Sequence, residues 1–278
     1  MNALVLGSEG QIGAALRAWL ERAGDTVFSM DLVNSSEQDL RLYENELLIE
    51  YVQKADIVYF LAFDVGGSRY LKTYQDTSQF ISNNLKLMTN TFSVIEKYST
   101  PHIFASSQMS NMTFSRYGLL KALGESYSQS LGGIVVKFWN VYGLERDLSK
   151  SHVITDFLTS AYETGSIKCL TDGEEIRQFL HADDCSRCLR MLAEKYKDIE
   201  RGASFDLTSF EWTKIKELTE IIGELFPGLN VEFSSDSDNV QRGLQNEPST
   251  RILELWQPEI QLKDGVRDVA RQMGVHSP

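Results

Sequence analysis

The chain has 278 residues, 42% hydrophobic and 24% charged, which is enough for a full core and too apolar for a disordered acidic tail. Its longest apolar run, Ile57 to Phe63, falls far short of the roughly 20 residues that span a bilayer. A formal net charge of -12 repels nucleic acid and anionic membranes, so neither is expected as a partner, and an anionic ligand must be met by local donors.

Strand-like residues begin at Ala3, which leaves no room for a secretory leader and gives the expectation of a cytoplasmic protein. The cysteines, Cys169, Cys185 and Cys188, are too few and odd in number for a disulfide framework. Cys185 and Cys188 form a C-x-x-C, but with Leu189 and Leu192 they also make a helical core stripe, and core packing is the better reading. The histidines are scattered singly, and no metal site is expected.

In chain order, Ala3 to Leu6 reads as a strand. A glycine-rich turn follows, then Ile12, Ala15, Leu16, Trp19 and Leu20 at helical spacing up to Gly24. Thr26 to Met30 reads as a second strand, Asn45 to Val52 as part of a helix, and Asp56 to Phe63 as a strand buried on both faces. Ile81, Leu85, Met88, Phe92 and Ile95 mark a long helix, and Ile103 to Ala105 another strand. A helix after Tyr117 and a strand over Ile134 to Phe138 complete the alternation. This rhythm predicts an α/β fold, a doubly wound parallel sheet of Rossmann type.

After residue 144 the rhythm changes. Helical patterns at Val153 to Tyr162, Asp184 to Tyr196 and Ile215 to Leu225 alternate with strand candidates at Ile167 to Leu170, Ala203 to Leu207 and Val231 to Phe233. The expectation is a dinucleotide-binding domain over 1–144, with 177–200 as a candidate to return to it, and a smaller mixed α/β substrate domain over 145–278. The polar run from Ser234 to Asn239 reads as a mobile surface loop.

Gly7-Ser8-Glu9-Gly10-Gln11-Ile12-Gly13 lies between the first strand and the first helix. Gly7 permits the tight turn, Gly10 lets the backbone approach a pyrophosphate, and Gly13 allows close helix-to-strand packing; the helix N-terminus, with Gln11 and Ile12, offers N–H groups to the anion. Asp31, at the end of the second strand, is placed to accept hydrogen bonds from an adenosine ribose. It also repels a 2′-phosphate, which favours NAD over NADP, although Arg41 lies nearby. Tyr117 and Lys121 are four residues apart, on one face of a helix, where an ammonium lowers the phenol's pKa toward a base useful near neutral pH. Ser106 and Ser107 end the preceding strand, at the carboxyl edge of the sheet.

With these motifs the sequence resembles the extended short-chain dehydrogenase/reductases, specifically the nucleotide-sugar epimerase/dehydratase family. The resemblance extends over Asp39-Leu40-Arg41, the strand from Asp56 to Ala62, the Asn84 to Asn90 spacing, Phe138 to Gly143, Arg177 to Asp184 and Trp256-Gln257-Pro258. It implies that Asp39 and Leu40 hold the adenine, that Leu61, Ala62 and Asn84 line the cofactor, and that Tyr117 and Lys121 touch it. Asn140 and Arg177 match positions that meet the sugar nucleotide, with Arg242 a weaker candidate; a surface ion pair of Arg177 with Glu174 or Glu175 is the plainer alternative. The implied chemistry is transient oxidation: Tyr117 takes the O4 proton, NAD takes the hydride from the same carbon, and Ser107 hydrogen-bonds the oxygen. A homodimer through the helices around Met88 and Leu123 is likewise implied.

Two departures narrow the reading. Gln108 and Met109 stand where dehydratases carry an acidic pair and 3,5-epimerases a cysteine, which disfavours the common elimination and favours a 4-epimerase. The segment from Ser107 to Tyr117 is also shorter than is usual in extended members. Asp64-Val65-Gly66-Gly67-Ser68 either places backbone near the sugar or is a flexible turn. A dehydratase or another keto-sugar isomerising enzyme is the alternative, and an NAD-sensing regulator the non-enzymatic one; the retained Ser107, Tyr117 and Lys121 speak against the last.

Overall fold

A computed structural model describes residues 1–112, 114–237 and 246–275. Six strands, β1 (Asn2–Leu6), β2 (Thr26–Met30), β3 (Ile57–Phe60), β4 (His102–Ser107), β5 (Ile134–Phe138) and β10 (Ser204–Leu207), form one parallel sheet in the order β2-β1-β3-β4-β5-β10. The order reverses between β1 and β3, so their carboxyl ends open the crevice where such sheets bind ligands.

Side-chain alternation explains why both faces are apolar. Ala3, Val5, Ile57, Tyr59, Ile134 and Val136 enter one core, under α1 (Gln11–Arg22) and α7 (Ala182–Glu194), which pack on each other. Leu4, Leu6, Val58 and Phe60 enter the other, under α2 (Glu46–Lys54), α4 (Ser78–Tyr98) and α5 (Arg116–Ser130). Cys185 and Cys188 sit in the first core with no exposed surface, and burial pushes both thiols far up, as core packing requires. β3 stops at Phe60, short of the expected Phe63, although Leu61 N still donates to Leu6 O at 3.0 Å.

One strand changes place relative to the sequence reading. The 203–207 segment, expected in the smaller unit, is the sixth strand of the large sheet, with Ser204 opposite Val135 and Leu207 opposite Phe138. An apolar run of this length announces a buried strand but not its neighbour, and partner choice here is a long-range matter. A third core lies over the sheet's carboxyl end. It is built from α6 (Val153–Thr164), α8 (Ile215–Gly223) and α9 (Leu262–Gln272), with the strand pairs β6 (Asn140–Tyr142)/β9 (Phe179–His181), β7 (Ser166–Lys168)/β12 (Asn230–Glu232) and β8 (Ile176–Arg177)/β11 (Thr213–Lys214). Within the polar run predicted to be mobile, Ser234 N donates to Thr171 O at 3.1 Å and Asp236 O accepts from Asp172 N at 2.8 Å; Asp238 and Asn239 lie outside the described residues. α3 (Ser68–Tyr74) follows the glycine pair after β3. Among the described residues, no helix is long and apolar enough to cross a membrane.

Candidate active site

The glycine turn is fixed by close approach. Gly7 has φ 85°, in the left-handed region, and a Cβ there would meet the Ala62 backbone at 2.8 Å, so the turn and the end of β3 touch without side chains between them. A Cβ on Gly13 would stand 2.0 Å from Gly7 O, which holds α1 hard against the turn. Gly10 is the N-cap and supplies no side-chain acceptor, so the first amides of α1, at Gln11 and Ile12, have no side-chain cap. This backbone cradle suits an anionic pyrophosphate. The Gln11 amide bridges to the segment at β6: its nitrogen donates to Val141 O at 3.2 Å and its oxygen accepts from Gly143 N at 3.1 Å.

Glu9 lies in this turn, and its charge is balanced by Arg17 at 2.6 Å and by Arg146 at 2.7 Å. Asp31 accepts from Glu9 N at 2.9 Å and from Val33 N at 3.2 Å, so the carboxylate is anchored beside the turn. Arg41 is turned onto Asp39, with its Nη2 2.8 Å from Oδ2, and donates to Asn83 Oδ1 at 3.0 Å; its hydrogen bonds hold the Asp39 carboxyl below the usual range. Leu40 is buried beside them, and its carbonyl and that of Arg41 accept from Asn90. Asn84 is wholly buried, accepting from Asp64 N at 2.8 Å and donating to Phe80 O at 3.1 Å. Its amide therefore shapes the loop after β3.

Ser107, Tyr117 and Lys121 come together at the carboxyl end of β4. Tyr117 and Lys121 are both buried on the inner face of α5, whose start is capped by Ser115. Lys121 Nζ donates to Ala105 O at 2.7 Å and lies 3.8 Å from the Phe63 ring centroid; Phe63 also meets Tyr117 edge-on at 5.8 Å. Burial draws Lys121 down to about 7, against the opposing pull of Glu125. Burial pushes Tyr117 up to about 12, against the hydrogen bond from Ser107. The lowering of the phenol by the ammonium that the spacing suggests does not set its pKa here: desolvation dominates, and Nζ lies 5.9 Å from the Tyr117 centroid. The shortened segment after Ser107 is a tight 3-10 turn over Gln108–Asn111, with Met109 N donating to Ser107 Oγ at 3.2 Å. Gly118 makes room for it, since a Cβ there would meet Met109 O at 2.2 Å.

Of the residues expected to meet the sugar nucleotide, Asn140 pairs across β6 and β9, with Nδ2 3.4 Å from Gln178 O. Arg177 lies in β8 opposite Thr213 and donates to Ile176 O at 2.8 Å; Glu174 is held by Lys214 at 2.7 Å, and Glu175 accepts from Thr171 at 2.5 Å. Arg242 lies outside the described residues. Between the two alternatives for residues 64–68, the segment is a built clasp. Gly67 N donates to Lys150 O at 2.9 Å, and a Cβ on Gly67 would stand 2.2 Å from Ser151 O. Tyr70 donates to Asp64 at 2.6 Å, and Arg69 reaches Asp156 at 2.6 Å.

The sequence reading passed over one pair beside this clasp. His152 Nδ1 lies 2.6 Å from Glu145 Oε1, and His152 N donates to Glu145 Oε2 at 2.9 Å. Burial alone would raise the Glu145 carboxyl, but the hydrogen bonds and charge of His152 bring it below the usual range. The residues between them form no α-helix or strand, and the 3-10 turn at Leu148–Lys150 folds the two together.

The sequence profile of the NAD dependent epimerase/dehydratase family matches residues 3–207, from β1 through β10. The chain belongs to that family. It is accordingly an NAD-dependent enzyme, and the uncapped glycine turn, with its backbone amides, fits the cofactor. It is 25% identical over 304 aligned residues to the putative GDP-L-fucose synthase 2 of Arabidopsis thaliana, covering 94% of this chain and 88% of that protein. Its fold is that of the Thermotoga maritima UDP-glucose 4-epimerase solved with UDP-glucose, at TM-score 0.81, 18% identity and 99% coverage of both chains. It also matches the Bordetella bronchiseptica enzyme WbmF, solved with NAD+ and UDP, at TM-score 0.82 and 19% identity over 98% of this chain and 92% of that one.

Proposed function

We propose that this family member is a nucleotide-sugar 4-epimerase. The observation that carries the reading is the meeting of Ser107, Tyr117 and Lys121 at the carboxyl edge of the sheet, beside the crevice between β1 and β3. The glycine-turn residues Gly7, Gly10, Gln11, Ile12 and Gly13 would hold the pyrophosphate, Asp31 the adenosine ribose, Asp39 and Leu40 the adenine, and Leu61, Ala62 and the Asn84-held loop the inner end. NAD held there would supply the hydride acceptor and donor for the sugar C4. Tyr117 takes the O4 proton and gives it back, Ser107 hydrogen-bonds that oxygen in both states, and Lys121 supports the charge on the phenol. Arg177 would meet the nucleotide diphosphate, Asn140 would meet the sugar nucleotide, and Arg242, outside the described residues, is the weaker candidate for the diphosphate. A 4-keto sugar that rotates and is reduced on its other face is the 4-epimer.

The His152–Glu145 pair favours a second reading. A histidine oriented by a carboxylate is a proton carrier, which would suit an enzyme that also moves protons at carbons flanking the keto group. Incubation with UDP-, GDP-, dTDP- and CDP-sugars in deuterated water, followed by NMR, separates the two. A C4-inverted product without carbon-bound deuterium supports the 4-epimerase; deuterium at C3 or C5 transfers the assignment to the second reading. No turnover of any sugar nucleotide, with NAD bound, would sink both.

We further propose a cytoplasmic homodimer through α4 and α5. Met88 faces the core, but Leu85, Leu119 and Leu123 are exposed on these helices, and light scattering of a Leu123→Lys variant should show monomers. For the two-unit division, 1–144 for the cofactor and 145–278 for the substrate, we propose that α7 and β10 return to the first unit, since α7 packs on α1 and β10 pairs with β5.

A further inference from the structure

Lys121 Nζ is enclosed. One of its N–H bonds goes to Ala105 O at 2.7 Å, the Phe63 ring face lies 3.8 Å away, and the residue as a whole is 3% exposed. Any ligand hydroxyl that is to reach this ammonium must first move the ring. The backbone around Phe63 is pinned on both sides, by Leu61 N to Leu6 O at 3.0 Å and by Asp64 N to Asn84 Oδ1 at 2.8 Å. The movement available is therefore a side-chain rotation and not a loop swing.

We propose that Phe63 is a positioning residue that competes with NAD for Lys121: its ring face holds the ammonium in place of the ribose hydroxyls, and cofactor binding requires its displacement. This rests on Lys121 being a cofactor contact, as assigned above. Two interactions cannot share the same face of Nζ, so the contact between ring and cation is subtracted from the affinity for NAD. Phe63 also packs edge-on to Tyr117, so its rotation bares the phenol at the moment the cofactor arrives. The ring thereby keeps both groups out of water until they are used.

The test measures NAD binding alone, by calorimetry and by stopped-flow association, in Phe63→Leu, in Lys121→Met and in the double variant. Phe63→Met serves as a second substitution, with thermal unfolding as the check on folding. Phe63→Leu keeps an apolar side chain without the aromatic face, and it should tighten NAD binding about three- to thirtyfold and speed association. Lys121→Met should weaken binding, and in its background the Leu substitution should have no effect. If Phe63→Leu and Phe63→Met bind NAD as the parent does, or more weakly, while Lys121→Met weakens it, Phe63 does not compete and the proposal falls alone. If Lys121→Met leaves NAD binding unchanged, the contact assignment fails and takes the proposal with it.

Discussion

The two sides of the cleft are held by different forces. On the cofactor side the contacts are backbone to backbone. Gly7 N donates to Met30 O at 2.8 Å, Gly7 and Ala62 leave no room for a Cβ, and the Asp31 carboxylate takes the Glu9 amide at 2.9 Å. At the clasp after β3, proposed to border the sugar, side chains from distant segments add to the Gly67 backbone contacts: Arg69 reaches Asp156 at 2.6 Å and Lys150 lies 4.0 Å from Asp64. Backbone contacts are insensitive to salt and to side-chain replacement, whereas exposed ion pairs are weak and screened. On the proposed assignment, the cofactor would meet a rigid cradle and the sugar nucleotide an adaptable rim.

The largest effect should come from the residue that joins the two sides. Tyr117→Phe should lower turnover by about 10²- to 10⁴-fold while leaving NAD affinity nearly unchanged, as single-turnover kinetics and calorimetry would show. Acid should test the sheet that carries the cofactor. His102, at the start of β4, is drawn down to about 4 by burial, so it stays neutral in the fold while the unfolded chain protonates near 6.5. The unfolded state then binds more protons between those values, and stability should fall by about 3 kcal/mol as the pH drops from 6.5 to 4. Urea titrations at both pH values measure this, and His102→Gln should flatten the slope.

Two glycine substitutions contrast the sides directly. Gly13→Ala should cost about 1–3 kcal/mol of stability and abolish measurable NAD binding, because the intruding Cβ meets fixed backbone. Gly67→Ala should spare NAD binding and raise the KM for the sugar nucleotide, because it pushes on Ser151 O across the clasp. The smallest effect is expected at Arg69→Ala, which should change stability by less than about 1 kcal/mol, the difference fading in high salt. A large loss there would mean that the rim is as rigid as the cradle.

The same contrast governs what the sequence reveals. Gly7, Gly13 and Asp31 are legible because their roles are local: a strand, a turn and a helix within 31 residues impose glycine where backbone touches backbone. The strand β3 is legible because burial on both faces leaves Ile57 to Phe60 without polar residues. What the sequence withholds is joined through irregular turns or over long separations. His152 finds Glu145 through an irregular turn, Arg146 crosses to Glu9, and the apolar run at 203–207 does not disclose that β5 is its neighbour. The Tyr117-Lys121 spacing placed both groups on one face but could not tell that Phe63 and the sheet would shut water out, which reversed the expected direction of the phenol's pKa.

The late arrival of β10 governs how the chain can be made and cut. Its partner β5 ends at Phe138, yet β10 begins only at Ser204, so during synthesis β5 stays an open sheet edge for more than 60 residues. A fragment ending at residue 144 would keep every glycine of the cofactor turn and still expose that edge, together with the apolar face that Cys185, Cys188 and Leu189 cover. Such a fragment is set to pair edge to edge with its own copies and come out of solution, so the cofactor half can be produced alone only if α7 and β10 are carried with it.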